Sequence, residues 1–270
     1  MTEIAKSHRS SVFYLSHGGG PLPLLGDEGH KEMVATLQQV AATLTKPSAI
    51  IVISAHWEES KPTITHAANP ELIYDYYGFP EESYAIQYPA PGNPDLARTV
   101  FSQLKATHID AVLDDNRGFD HGLFVPLKIM YPKAEIPCIQ LSLVKSLDPA
   151  THIKIGEALA GLGTEDLLVI GSGFSFHNLK AFFTPSSSES QALNEAFESW
   201  LIDTCSNHDL DEAERTSRLV NWQKAPAARY CHPREEHLLP LHVCYGLAKR
   251  PCREVFELKV LGKKASMYLW

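Results

Sequence analysis

The stretch Ala49-Ile50-Ile51-Val52-Ile53-Ser54-Ala55-His56-Trp57 decides the fold. Its run of β-branched residues is apolar on both faces, as in a strand of a parallel sheet covered by helices on either side. The run ends on a histidine. Imidazoles at strand ends, in loops that let backbone approach closely, are how a mononuclear metal centre is assembled from distant sequence.

Working outward, Ser11 to Leu15 predicts a first strand that ends at Ser16-His17. Gly18-Gly19-Gly20-Pro21-Leu22-Pro23 then forbids regular structure and makes a loop. Further strands are expected over Ala111–Leu113, Ile136–Leu143, Leu167–Gly171 and, last in the chain, Glu254–Leu261. Helical spacing of apolar residues appears over Lys31–Leu44, Pro94–Lys105, Val125–Met130, Pro149–Leu162, Ser186–Cys205 and Leu239–Lys249. The charged stretch Asp209–Arg218 reads as a continuation of exposed helix. Glu71 to Pro94, rich in Tyr and Pro, reads as a long functional loop. Strands alternating with helices give an α/β fold, a layered sandwich. No repeat, low-complexity tract or linker divides it, so residues 1–270 are expected to form one domain.

The chain has 270 residues, 44% of them hydrophobic, enough for a sizeable core, and a formal net charge of −8. That balance argues against nucleic acid or an anionic membrane as partner. Lys249-Arg250 and Lys263-Lys264 read as solvated surface. No apolar run approaches the ~20 residues of a membrane span, and Met1 to Arg9 lacks the apolar stretch of a secretory signal. The five cysteines show no CxxC spacing, so free thiols in a reducing cytoplasm are expected. Cys231, beside His232, is assigned to packing. The glycine run lacks the Walker and Rossmann spacings, so neither ATP nor NAD is implied.

Four histidine settings carry the chemistry. His17 and His56 close separate strands; on neighbouring parallel strands both rings would reach one rim of the sheet. His232 precedes Pro233, which favours extended backbone, and His237 follows five residues later. Arg234-Glu235-Glu236-His237 also fits the exposed first turn of a helix, where acidic residues suit the dipole. His177 follows Gly171-Ser172-Gly173, which lacks the G-x-S-x-G spacing of a serine hydrolase. His121, between Asp120 and Gly122, is either a carboxylate-oriented group acting on substrate or an exposed residue after a capping Asp. His242 is expected to be packed or to support the site.

Taken together, these segments resemble the class III, LigB-type extradiol ring-cleavage dioxygenases, and most closely the 4,5-DOPA extradiol dioxygenase branch. The motifs are Ser16 to Pro21, Ile53 to Glu58, Tyr74 to Pro80, Tyr88 to Gly92, Gly118 to Gly122, Gly171-Ser172-Gly173 through Leu179, and His232-Pro233 through His242. The resemblance spans essentially the whole chain. It implies a central mixed sheet flanked by helices and one divalent metal. His17, His56 and His232 match the metal positions, and His177 matches a histidine that is either a fourth ligand or the acid/base. His121 matches a second active-site histidine. His232 stands where the wider class has a glutamate, so Zn²⁺ suits the set as well as Fe²⁺.

The reaction so implied is insertion of O₂ beside a hydroxylated carbon of a catechol, opening the ring to a muconic semialdehyde. His177 would take a catechol proton, and His121 or His237 would return one. The tyrosines of residues 74–88 would wall the pocket. Two other readings stay open: a zinc-dependent hydrolase using a metal-activated water, and a non-catalytic Memo-like metal- or peptide-binding protein. Monomer and small homo-oligomer are both open.

Overall fold

The computed structural model describes residues 11–162 and 166–270; the N-terminal stretch read above for a secretory signal lies outside them. The strands are β1 (Ser11–Ser16), β2 (Ala49–Glu59), β3 (Thr63–Thr65), β4 (Val112–Asp114), β5 (Cys138–Val144), β6 (Leu167–Gly173), β7 (Glu254–Val260) and β8 (Lys263–Leu269). They form one sheet in the order β4-β3-β5-β2-β6-β1-β8-β7. The centre is parallel: β2 pairs with β5 and β6, and β6 with β1. Antiparallel pairings of β3 with β5 and β8 with β1 make the sheet mixed.

The β2 sequence shows why the centre is buried on both sides. Ile50 and Val52 join one apolar cluster, while Ile51 and Ile53 join the other. On the second face lie α2 (Pro94–Ala106) and α4 (Pro149–Leu159). On the first lie α1 (Lys31–Thr43), α3 (His121–Met130) and α6 (Ser188–Ser206). Caps set their starts: Asn93, Asp148 and Ser187 each accept a backbone N–H of the first turn. α9 (Leu239–Ala248) crosses α4 at glycine contacts, since a Cβ on Gly246 would lie 2.1 Å from the Ile153 carbonyl oxygen. The short α5 (Leu179–Phe182) and α8 (Ala228–Cys231), with α7 (Glu212–Val220), complete the helices among the described residues. None of these is long and apolar enough to cross a membrane.

Three expectations change. β1 and β2 are not neighbours; β6 lies between them, so the loop after β6 sits between the two strand-end histidines. The helix over 209–218 is separate from α6, because Asn207 ends one and Asp211 caps the other. Glu254–Leu261 is not the last strand: β8 follows it through Leu261-Gly262, both with positive φ (50° and 74°). That geometry fits a tight hairpin turn normally written Asn-Gly, and a leucine there hides the signal. Lys263, read as solvated, is therefore buried, with its ammonium donating to Ser186 Oγ at 3.0 Å.

Candidate active site

The carboxyl ends of the central parallel strands build the site. β1 runs into His17, whose N–H donates to the Gly173 carbonyl at 3.2 Å. In β2 the register shifts between Ser54 and Glu58, and this bulge presents His56. The two rings meet with Nε2 atoms 3.0 Å apart.

The third ring at this point is His237. Its backbone carbonyl accepts from the Phe174 N–H at 3.0 Å and the Tyr14 hydroxyl at 2.9 Å. Gly173 permits the approach, because a Cβ there would lie 2.1 Å from that carbonyl oxygen. His17, His56 and His237 each offer one ligand nitrogen, all within 4.8 Å of one another. Two imidazoles binding one ion at about 2.1 Å place their nitrogens about 3 to 3.4 Å apart, so the donor set fits a divalent metal.

His232, expected as a ligand, is not brought to this group. Its Nε2 lies 2.6 Å from the Ser175 carbonyl oxygen, and its ring packs between Phe197 and Trp222. The reason is backbone position: His232 caps the end of α8, its N–H bonding back to the carbonyl of Ala228, the first residue of that helix, and its side chain lies in the core. His237 reaches the rim instead. His121, the first residue of α3, and His177, in the loop after β6, flank the group. Ring centroids are 3.9 Å apart for His56–His121 and 3.4 Å for His177–His237. His242 is buried, its ring nitrogens on the Leu219 and Leu238 carbonyls.

Two carboxylates that the sequence reading did not assign orient these rings. Asp75 accepts from His121 Nδ1 at 2.8 Å and from its backbone N–H at 3.0 Å. Burial opposes the Asp75 charge, but the His121 hydrogen bonds outweigh it and hold the carboxyl below its usual range. Asp120 instead meets Ser54, Arg117 and Gln140. Glu236, read as exposed helix start, lies 2.9 Å from His237 Nδ1 and 3.2 Å from His177 Nδ1. Burial opposes its ionisation, but those two bonds prevail and keep it ionised. With both Nδ1 atoms donating to one carboxylate, each Nε2 keeps a lone pair.

His17 is oriented through a proline. Pro126 inside α3 has no N–H to give to Gly122, four residues back. The Gly122 carbonyl accepts the Ser172 hydroxyl instead. That leaves Ser172 Oγ to accept from His17 Nδ1 at 3.0 Å, which frees Nε2 for the site. Ser172 thus orients His17, its own hydroxyl proton being held by the Gly122 carbonyl.

Burial first, and then the neighbouring imidazoles, push the His17 and His56 pKa values well down. Burial and the His177 ring lower His237 to about 3, against the pull of Glu236. All three are neutral at pH 7, the form that binds metal.

The histidines open into a cavity of about 640 Å³. The Glu71–Pro94 segment is an extended loop containing one short 3₁₀ turn, Glu81–Ala85, and it contributes Tyr76 and Phe79 to the wall. The Tyr74 and Tyr88 hydroxyls bond the Ile86 and Tyr131 carbonyls, so these rings brace the loop. All five cysteines are buried and free, and Cys231 lies against Leu193.

Comparison with known proteins gives the family. Residues 4–265 match the family model of the catalytic LigB subunit of aromatic ring-opening dioxygenase. A dioxygenase, tasH, of Hapsidospora irregularis is 42% identical over 96% of this chain and 85% of its own. The 4,5-DOPA dioxygenase extradiol of Beta vulgaris is 38% identical over 88% of this chain and 86% of its own. The crystal structure of an uncharacterized protein from Escherichia coli K12 superposes with a TM-score of 0.74 at 29% identity, covering 97% of this chain and 99% of that one. The chain belongs to the LigB family of aromatic ring-opening dioxygenases. It is an enzyme of extradiol ring cleavage, acting on a small molecule with O₂. Enzymes of this family use a metal, and the histidine cluster is able to hold one.

Proposed function

We propose that His17, His56 and His237 hold one divalent metal, Fe²⁺ during turnover, and that the enzyme opens a catechol ring beside a hydroxylated carbon. The observation that carries this is the convergence of three neutral imidazoles from β1, β2 and the segment before α9. When bound, the metal supplies the site at which catechol and O₂ are brought together and activated.

The chain's own groups manage protons. His177, with Nδ1–H on Glu236, presents a basic Nε2 to a catechol hydroxyl and takes its proton. His121, with Nδ1–H on Asp75, takes the proton of the second catechol hydroxyl on Nε2 and returns it as the ring opens. Both oxygen atoms of O₂ end in the muconic semialdehyde and one ring C–C bond breaks, so no external reductant is required. Tyr76, Phe79 and Phe174 exclude water from the intermediate. The whole chain, 1–270, serves as one catalytic domain, supported by the single sheet on which the site is built. A reducing cytoplasm is supported by the five free cysteines.

The test is anaerobic loading with Fe²⁺ or Zn²⁺, then catechol and oxygen uptake. Stoichiometric uptake and a yellow product with iron alone are expected. Tight Zn²⁺ with no uptake would favour the hydrolytic reading or the non-catalytic one. In the same assay His177→Ala abolishes turnover while metal content stays at one per chain; loss of metal would make His177 a ligand.

A further inference from the structure

We propose that the ring substituent of the natural substrate is apolar, an alkyl- or aryl-bearing catechol, and not the charged side chain of an amino acid. This rests on the extradiol reading above and names the substrate class for that site. Beyond the histidines, the cavity is walled by Leu22, Phe79, Phe174, Leu179, Phe182 and Leu261. Among the described residues that line it there is no Lys, Arg, Asp, Glu, Asn, Gln, Ser or Thr.

The polar groups nearest that wall are already committed. The Tyr76 hydroxyl donates to the Ser83 carbonyl at 2.6 Å, and the Gly19 N–H donates to His30 Nε2 at 2.9 Å. The Arg234 guanidinium, outside the lining, is held by both Glu58 oxygens at 2.6 and 2.7 Å. Asp75 and Glu236, behind His121 and His177, are held by those rings, so an ammonium or a carboxylate entering here would lose water with no charged side chain among the described lining residues to replace it.

The mouth repeats the pattern. Leu179 and Phe183 line the cavity and are 62% and 88% exposed, an apolar rim left open among the described residues. Leu261 holds a left-handed φ of 50°, a conformation that favours Gly or Asn, yet its side chain faces the cavity. At about 640 Å³ the space lies within the roughly 300–1,000 Å³ of sites that enclose drug-sized ligands, so it has room for a substituent beside the ring.

The experiment compares catechol, 4-butylcatechol and L-DOPA in two ways: oxygen uptake by the Fe²⁺-loaded enzyme, and calorimetric binding to the metal-free protein. Each buried methylene raises affinity about fourfold. The expected kcat/KM for 4-butylcatechol is at least about tenfold above that for L-DOPA. The gain should lie in KM, with the same order in calorimetry. The double variant Leu179→Ser/Phe183→Ser, both at exposed positions, should shrink that ratio several-fold. Equal or better use and binding of L-DOPA, or a ratio untouched by the double variant, overturns the inference while leaving ring cleavage intact. Failure of all three catechols to consume oxygen overturns the extradiol reading instead. The calorimetric order then still decides whether the pocket prefers an apolar substituent.

Discussion

At the residue scale, the site separates histidines by what their second nitrogen touches. His237 has a carboxylate on Nδ1 and a lone pair toward the cluster; His232 has a carbonyl on Nε2 and a buried Nδ1 with no hydrogen-bond partner. His237→Ala should therefore lower metal content at least tenfold by elemental analysis. His232→Ala should keep one metal per chain while losing about 2–4 kcal/mol of stability, because it empties a space beside Phe197 and Trp222. The reverse result would restore His232 as the ligand. Glu236→Gln keeps the shape but removes the charge that both Nδ1 protons face. It should weaken metal binding and turnover about 10- to 100-fold, read by competition with a chromophoric chelator and by kcat.

At the element scale, β6 does more than separate β1 from β2. Its last residue, Gly173, accepts the His17 N–H and leaves room for the His237 carbonyl. A methyl group on Gly173 would meet backbone that is fixed from two sides by Phe174 and Tyr14. Gly173→Ala should cost about 1–3 kcal/mol in chemical denaturation and weaken metal binding together. Intact metal affinity in a stable variant would show that His237 is not positioned by this contact. In α3, Pro126 turns a helix defect into a site contact, since the carbonyl it leaves free fixes Ser172 and, through it, His17.

At the scale of the whole molecule, the core holds its histidines uncharged. Burial, the largest cause, lowers His152 to about 4 and His232 to about 3, and also lowers His242. In the unfolded chain these groups take up protons near pH 6.5. Below that pH the unfolded state binds protons that the folded state refuses, so stability falls as pH drops from 6.5 toward 4. Glu198 acts the other way: burial raises it to about 7, so the folded state holds a proton that the unfolded state releases down to about 4.5. Three histidines outweigh one glutamate. Chelator-treated protein should melt at lower temperature at pH 5.5 than at pH 7.5, and a higher melting temperature at pH 5.5 would show that Glu198 dominates.

The amino-acid sequence by itself determined the local facts. The β-branched run of β2 must be a two-sided strand, the glycines after His17 must form a loop, and helices are expected over Pro94–Lys105 and Pro149–Leu162, because these follow from backbone sterics and side-chain periodicity a few residues long. It also put His17 and His56 at the ends of apolar strand runs, and both meet His121, His177 and His237 at one cavity. Only the tertiary structure decided which imidazole faces which. His237 and His232 lie on one short segment, and the choice between them is made by Tyr14, 223 residues away from His237, and by Ser175, 57 residues away from His232. Asp75 and Glu236 were hidden for the same reason. A carboxylate in a tyrosine-rich loop or at a helix start looks solvated until strands from elsewhere in the chain close over it and place an imidazole N–H within 3 Å.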